Sequence, residues 1–175
     1  MSLLIVFILL ILLFFAVWQD LRSYRIPNKL VLTGVLIGLS LNALLPMTVG
    51  GLGFQAAFLG LCVGLIILMP LYILNVMGAG DIKLMAMIGA FVGPGAMLWI
   101  TLYVLIAGGV LAIGVSLLRG RMMQVVDNLK LTMLLKMAKS PGWRLPIDAT
   151  AATTVNKLPY GVAIASGTIV YLLTV

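Results

Sequence analysis

The sequence predicts an all-α polytopic membrane protein that forms a single domain over residues 1–175. The chain is 63% hydrophobic and only 9% charged, whereas soluble domains carry about a quarter charged residues. Apolar runs recur along the whole chain, and most of them approach or exceed the roughly 17–25 residues that cross a bilayer core as a helix. The length allows one domain.

Six transmembrane helices are predicted from the apolar runs. The runs cover residues 2–18, 30–49, 51–76, 82–93, 96–118 and 158–175. Pro70 predicts a kink in the third run, and the Gly-Pro-Gly at 93–95 separates the fourth run from the fifth. As a helix the fourth run is only about 17 Å long, short of a core of about 30 Å. Either its outer turn sinks into the protein, or it begins below the cytoplasmic surface and places Asp81 inside the membrane.

The basic residues predict the orientation of these helices. All eleven lie in alternate connections between the runs: Arg22, Arg25 and Lys29, then Lys83, then Arg119, Arg121, Lys130, Lys136, Lys139, Arg144 and Lys157. The connections around 47–52 and 93–95 carry no charge. Because positively charged loops face the cytoplasm, both termini are predicted to lie outside.

The longest polar segment, residues 119–157, lies between the predicted fifth and sixth helices. Residues 121–139 predict a basic amphipathic helix on the anionic inner leaflet of the bilayer, and residues 140–157 a flexible loop. The net charge of +7 is therefore explained by membrane topology, and no nucleic-acid partner is expected.

The composition excludes several kinds of site. The chain has no His and no Glu, and its one cysteine is Cys62. Ser-His-Asp triads, histidine-based zinc sites and di-iron sites are therefore excluded, and no disulfide forms within the chain. We expect neither a metal nor a cofactor.

Four aspartates are the acidic residues of the chain, and two of them stand at apolar runs. Asp127 and Asp148 fall in the polar segment, where a solvated charge and a turn contact explain them. Asp20 and Asp81 lie at the cytoplasmic ends of predicted helices, where an ionisable residue indicates function. The alternatives are structural: Asp20 pairs with Arg22 or anchors at the headgroups, and Asp81 caps the fourth helix.

A pair of aspartates has a known chemistry. Two carboxylates in contact do not both ionise easily, so one remains protonated. The ionised group can then activate a water molecule while the protonated group polarises a carbonyl. This is peptide hydrolysis by an aspartic peptidase.

Three short motifs resemble the type IV prepilin peptidases, which are membrane aspartic peptidases with a GxGD motif. The sequence GAGD at 78–81 matches GxGD and continues as GDIKL to Leu84. Asp20 is followed, at the spacing of that family, by IPN at 26–28. The sequence LPYG at 158–161 resembles a late P-[FY]-G stretch of the family. The motifs occur in the expected order over nearly the whole chain.

This resemblance implies cleavage of the short basic leader from a prepilin, after a glycine, at the cytoplasmic face of the inner membrane. It implies that Asp20 and Asp81 are the catalytic pair. The first apolar run begins at residue 2 and paired cysteines are missing, so we expect no N-terminal methyltransferase segment. The chain looks like the short form found with Flp-type pili, or like an archaeal preflagellin peptidase. The oligomeric state is not implied.

Six further residues of the motifs are expected to bind substrate or shape the site. They are Gly78, Gly80, Lys83, Pro159, Tyr160 and Gly161. The two glycines before Asp81 are expected to take positive φ angles and to let a substrate strand approach closely. The backbone of 77–80 and residues 158–160 are expected to form opposite walls of the site.

Two other functions use the same aspartates. Presenilin-like GxGD proteases place a tyrosine before the first aspartate and carry a P-A-L motif, whereas this chain has Gln19 and LPYG. A proton-coupled carrier would use the aspartates as a relay, but carriers commonly show internal repeats, and none is visible here. A structural scaffold does not require both aspartates.

Overall fold

The computed structural model describes residues 2–23, 26–73, 77–118 and 160–174, and the described part is helical without strands. Its elements are α1 (Leu3–Ser23), α2 (Asn28–Leu44), a 3-10 turn (Met47–Val49), α3 (Phe54–Ile67), α4 (Met69–Ile73), α5 (Ala79–Leu118) and α6 (Tyr160–Thr174). The predicted amphipathic helix at 121–139 and the loop at 140–157 lie outside the described residues.

The chain divides into two compact units. The first comprises Met1–Gly108 with Pro159–Val175, and the second comprises Gly109–Leu158. The first unit contains every helix named above up to Gly108 of α5, together with α6. Of the second unit, the structure describes the end of α5 at 109–118.

Three helical stretches have the length and composition of membrane spans: Leu3–Ser23, Phe54–Ile73 and Ala79–Val115. The helices α2 and α6 are apolar but shorter. The predicted all-helical fold is therefore confirmed, while the count of six spans and their orientation stay predictions. The predicted kink at Pro70 is present, because α3 ends at Ile67 and α4 begins at Met69. Proline lacks the N–H group that would continue the helical ladder.

One face of α1 is buried along its whole length. The buried residues are Ile5, Leu9, Leu13, Ala16 and Asp20. Their spacing of three and four residues places them in one stripe on a helix, and this stripe packs in the bundle with α6 and α2. Large apolar side chains cover the other face, including Phe7, Phe14 and Trp18. Asp20 is thus the last member of a stripe that faces inward.

The helix α5 reverses direction at Gly93. This glycine has φ 78° and ψ 175°, which are not helical values, and Pro94 follows it. Tyr160 lies close enough to Asp81 to interact with it electrostatically, and its ring is 3.6 Å from the position of a Cβ on Gly108. In a straight helix, residues 81 and 108 would be about 40 Å apart, so one tyrosine could not lie near both. The predicted break at 93–95 is confirmed.

The first arm of α5, before Gly93, packs against α3 with backbone in direct contact. A Cβ on Gly60 would collide with the Gly89 carbonyl oxygen, and a Cβ on Gly89 would collide with that of Gly60. One turn further along α3, a Cβ on Gly64 would lie 2.5 Å from the Met85 carbonyl oxygen. Glycines spaced four residues apart permit this approach between membrane helices. The contact fixes the axial position of the arm that carries Asp81.

Asn42 supplies hydrogen bonds that the break in α5 leaves unmade. Pro94 has no N–H for the carbonyl of Ala90, four residues earlier. The buried Asn42 amide donates to the carbonyl oxygens of Ala90 (2.9 Å) and Phe91 (3.2 Å), and its Oδ1 accepts the Leu52 N–H at 3.1 Å. Unpaired polar backbone is costly in an apolar interior. Asn42 therefore joins α2, the loop before α3 and the reversal of α5.

Connections meet at two opposite ends of the bundle. At one end, the start of α6 contacts the end of α1 through Gly161 and Asp20, and Ile26 contacts Gly80 at the start of α5. At the other end, Asn42 binds Leu52 and the reversal of α5. This grouping agrees with the predicted alternation of connections. The end that faces the cytoplasm stays a prediction.

Replacing Asn42 by Leu is expected to destabilise the protein. The substitution leaves the Ala90 and Phe91 carbonyls and the Leu52 N–H without their partner, at a cost of about 1–3 kcal/mol for each unsatisfied group. Thermal unfolding in detergent measures the effect. The matched control is Gln55→Leu, since Gln55 is an exposed amide. Equal unfolding temperatures for the two variants would contradict this role of Asn42.

Candidate active site

Asp20 is held at the end of α1 by the backbone of α6. Its carboxylate is buried, with 5% of the residue exposed, and its Oδ2 accepts the Gly161 N–H at 2.8 Å. Its hydrogen-bond partner is 141 residues away in the sequence. Because the side chain is buried, Asp20 does not serve as an anchor at the lipid headgroups, which would be exposed. The partner is also not the neighbouring Arg22. The structure therefore turns Asp20 into the bundle.

Gly161 is a glycine because Asp20 occupies the space of its side chain. A Cβ at this position would lie 2.7 Å from Asp20 Oδ2 and 3.1 Å from Asp20 Cβ and Cγ. The close approach is what allows the Gly161 N–H to reach the carboxylate. The predicted site residue Gly161 thus lies beside Asp20.

Asp81 lies in the first turn of α5. The helix begins at Ala79 rather than at Ile82, so the expectation that it starts after Asp81 is wrong. Asp81 Oδ2 accepts the Gly78 N–H at 3.0 Å, and the Asp81 N–H donates to the Gly78 carbonyl at 3.1 Å. Asp81 is the third residue of the helix, and its side chain accepts a hydrogen bond from the N–H group of the residue that precedes the helix. This bond satisfies one of the N–H groups that have no partner within the helix.

The capping role of Asp81 leaves one of its carboxylate oxygens available for a reaction. In the described part of the chain, each of the two carboxylates accepts one backbone N–H through Oδ2. Such a bond fixes the orientation of the group and leaves Oδ1 for other partners, because a carboxylate can accept about four hydrogen bonds. A structural reading of Asp81 therefore does not exclude a functional one.

The fold brings the two aspartates to one site. Asp20 lies close enough to Asp81 to act on it electrostatically, although 60 residues separate them in the sequence. Asp81 is also buried, with 8% exposed. Tyr160, half-buried at the start of α6, lies within the electrostatic range of Asp81. Three helices, α1, α5 and α6, thus contribute to the site.

The positive φ angles expected at the glycines before Asp81 are absent, while the close approach of a substrate strand stays a prediction. In the described residues, positive φ angles occur at Gly50, Gly53 and Gly93, and not at Gly78 or Gly80. A Cβ on Gly80 would lie 3.3 Å from the Ile26 Cβ. The missing side chain of Gly80 therefore makes room for Ile26, which is buried, rather than for a left-handed turn.

Lys83 contacts the segment that precedes α2. Its Nζ donates to Asn28 Oδ1 at 3.0 Å, and both side chains are exposed. Ile26 and Asn28 belong to the IPN motif, but sequence reasoning did not assign either to the site. Their motif was the available signal, while the contact with α5 required the fold.

Three predicted or candidate residues lie outside the described part of the chain: Pro159, Asp127 and Asp148. Within the described part, no group of three His, Cys, Asp or Glu side chains forms a candidate metal site. What the described part of the site offers chemically is a pair of buried carboxylates with a half-buried tyrosine within electrostatic range of one of them.

Comparison with known families identifies the family of the chain. A family model described as the type IV leader peptidase family matches residues 7–113. The chain belongs to this family. The match covers more than half of the chain and includes both Asp20 and Asp81. No curated protein and no solved structure gives a significant match.

Membership in this family gives the chain a general function. Type IV leader peptidases are aspartic peptidases that remove leaders from prepilin-type substrates, in a membrane context. The resemblance seen in the three motifs is thereby confirmed at the level of the family. Tyr160 and Gly161 lie beyond the matched residues and are connected to the site by the structure alone.

A side chain at position 161 is expected to impair leader cleavage. Gly161→Ala places a Cβ against Asp20 and pushes the carboxylate out of position. We expect cleavage of a prepilin to fall by more than about tenfold, since small displacements of catalytic groups have effects of this size or larger. The matched control is Gly95→Ala, where a Cβ meets nothing within 4 Å. Equal cleavage by the two variants would show that the Asp20–Gly161 contact is dispensable.

Proposed function

We propose that this chain is a membrane-embedded aspartic endopeptidase that cleaves the short basic leader from a type IV prepilin of the Flp type. Cleavage takes place after a glycine, at the cytoplasmic face of the inner membrane. Asp20 and Asp81 are the catalytic pair in this proposal. The observation that carries it is the convergence of these two buried carboxylates from α1 and α5, in a chain of the type IV leader peptidase family.

The pair performs hydrolysis as one unit that holds a single proton. The ionised carboxylate takes a proton from a water molecule, and the water oxygen attacks the carbonyl carbon of the scissile peptide bond. The protonated carboxyl group donates its proton to the carbonyl oxygen. Collapse of the tetrahedral intermediate breaks the C–N bond as the leaving amine receives the proton that the first carboxylate took. One hydroxyl group of the diol returns its proton to the second carboxylate as the carboxyl group of the product forms. One water is consumed, and the pair returns to its starting state.

The backbone amides of Gly78 and Gly161 fix the orientation of the pair. Each occupies Oδ2 of one aspartate, so the carboxylates keep their geometry while the proton moves. A preorganised arrangement avoids the cost of reorienting groups during the reaction. Two hydrogen bonds, donated by backbone amides of separate chain segments, support the pair in this way.

The substrate peptide bond is cleaved in an unwound segment of the prepilin. In a helix the carbonyl group is engaged in the i to i−4 ladder, and it must be freed before attack. The exposed Gly78 and Ala79 lie next to Asp81, and Tyr160 stands across the site within its electrostatic range. These elements form the two walls between which the unwound segment binds. The anionic inner leaflet attracts the basic leader to the same membrane face.

The two alternative functions receive no specific support. The family match favours a leader peptidase over a presenilin-like protease. A proton-coupled carrier does not require the backbone hydrogen bonds that fix the orientation of both carboxylates. Incubation of the purified protein with a prepilin separates these functions, because a leader peptidase alone removes the leader after its glycine.

Removing either carboxylate is expected to abolish cleavage. Asp20→Asn and Asp81→Asn keep the size of the side chain and its ability to accept the Gly161 or Gly78 N–H, but they cannot carry the proton. We expect losses of at least about a thousandfold in the cleavage rate, as for other essential acid–base groups. The measurement is the gel shift of a purified prepilin. The matched controls are Asp127→Asn and Asp148→Asn, which retain most activity. Substantial cleavage by either pair variant would contradict the aspartic mechanism.

The orientation is tested by labelling single cysteines in a Cys62→Ser background. Ser23 ends α1 at the Asp20 end of the bundle, whereas Thr48 lies in the 3-10 turn near the other end. We expect an impermeant thiol reagent to reach a cysteine at Ser23 only from the cytoplasmic side and one at Thr48 only from outside. Ser140, in the basic segment, should behave as Ser23 does. Labelling of Ser23 and Thr48 from the same side would overturn the proposed topology.

A further inference from the structure

The segment before α2 contacts the start of α5 at two points. The buried Ile26 lies over Gly80, with 3.3 Å between the Ile26 Cβ and the position of a Cβ on Gly80. Asn28 Oδ1 accepts a hydrogen bond of 3.0 Å from Lys83 Nζ. Asp81 lies between Gly80 and Lys83 along the helix. The two contacts therefore bracket one of the proposed catalytic carboxylates.

The first turn of a helix is its least constrained part. Its N–H groups have no partners within the helix, and helix ends fray. In α5 the Asp81 carboxylate itself binds the Gly78 N–H, but this bond is local and moves together with the turn. A fixed distance to Asp20, on α1, requires a contact between the turn and another element. Ile26 and Asn28 provide such contacts.

The side chain of Lys83 does not serve the aspartate directly. Residues two apart on a helix point to different faces, and the Lys83 ammonium group binds a neutral amide on the neighbouring segment. Three rotatable donors on a flexible stem make lysine suitable for bridging two helices in this way. Its contact with Asn28 therefore acts on the position of the helix start.

We infer that Asn28 and Lys83 are positioning residues of the peptidase. Their hydrogen bond, together with the packing of Ile26 against Gly80, holds the first turn of α5 so that Asp81 faces Asp20 at a fixed distance. The inference rests on the proposed function, because it assigns a role in the same reaction. It differs from the expectation that Lys83 binds the substrate. A positioning residue affects the rate of the bound complex, whereas a binding residue affects the affinity.

Four variants of the full chain separate these roles in a prepilin cleavage assay. Asn28→Leu removes the acceptor, Lys83→Met removes the donor, and the double variant removes both. Asn28→Asp retains an acceptor for the lysine and strengthens it by charge. The matched control is Lys29→Met, which removes the same charge from an exposed lysine next to Asn28. Thermal unfolding of each variant verifies that it is folded.

We expect each single variant to lower kcat about tenfold with unchanged KM, because a small displacement of Asp81 slows the reaction of the bound complex. The double variant should be no slower than the slower single variant, because both substitutions break the same contact. Asn28→Asp and Lys29→Met should retain the wild-type kcat. A raised KM with unchanged kcat in Lys83→Met, together with wild-type behaviour of Asn28→Leu, would overturn the inference in favour of substrate binding.

A disulfide tests the second contact without any cleavage. In a Cys62→Ser background, Ile26→Cys and Gly80→Cys place two Cβ atoms about as close as a disulfide requires. We expect the pair to cross-link on mild oxidation, since the two Cβ positions are in contact. Failure to cross-link would contradict the contact between Ile26 and the start of α5. Absence of cleavage by the wild-type enzyme would contradict the proposed function itself, whereas wild-type kinetics in both single variants would contradict only the positioning role.

Discussion

The hydrogen bond from the Gly161 amide to the Asp20 carboxylate connects parts of the chain that are 141 residues apart. It requires a bare backbone at position 161, because a Cβ there would lie 2.7 Å from the carboxylate oxygen. It also requires a buried carboxylate that faces α6, which the stripe of buried residues on α1 provides. Tyr160, the residue before Gly161, lies within electrostatic range of Asp81. The candidate site exists only where the first and last described helices meet.

A second constraint, the pairing of all buried polar groups, shapes the opposite end of the bundle. Every buried side-chain nitrogen and oxygen in the described residues has a hydrogen-bond partner. At the reversal of α5, the proline removes a donor and the side chain of Asn42 replaces it. The reversal sends the second arm of α5 back toward Tyr160. The amide of Asn42 thus stabilises a reversal that lies at the end of the bundle away from the two aspartates.

The site residues that stand out chemically were predictable from the sequence, whereas those that depend on distant partners were not. Asp20 and Asp81 are conspicuous because carboxylates are rare in apolar runs, and Pro94 predicts a break wherever it stands in a helix. The inward face of α1 was not predictable, because apolar residues cover both faces and the sequence shows no alternation of apolar and polar residues. Asn42 lies 48 residues from Ala90, and no spacing rule connects an asparagine with a distant proline. The positive φ angle expected at Gly80 was wrong, since its neighbour Ile26 was unknown.

Infrared titration shows whether Asp20 and Asp81 share one site. The chain contains four aspartates and no glutamate, so single Asp→Asn variants assign the carboxyl bands in pH difference spectra. Interacting carboxylates titrate as a pair. We expect Asp20→Asn to move the titration midpoint of Asp81 and Asp127→Asn to leave it in place. An Asp81 midpoint that is the same in the wild type and in Asp20→Asn would contradict a shared site.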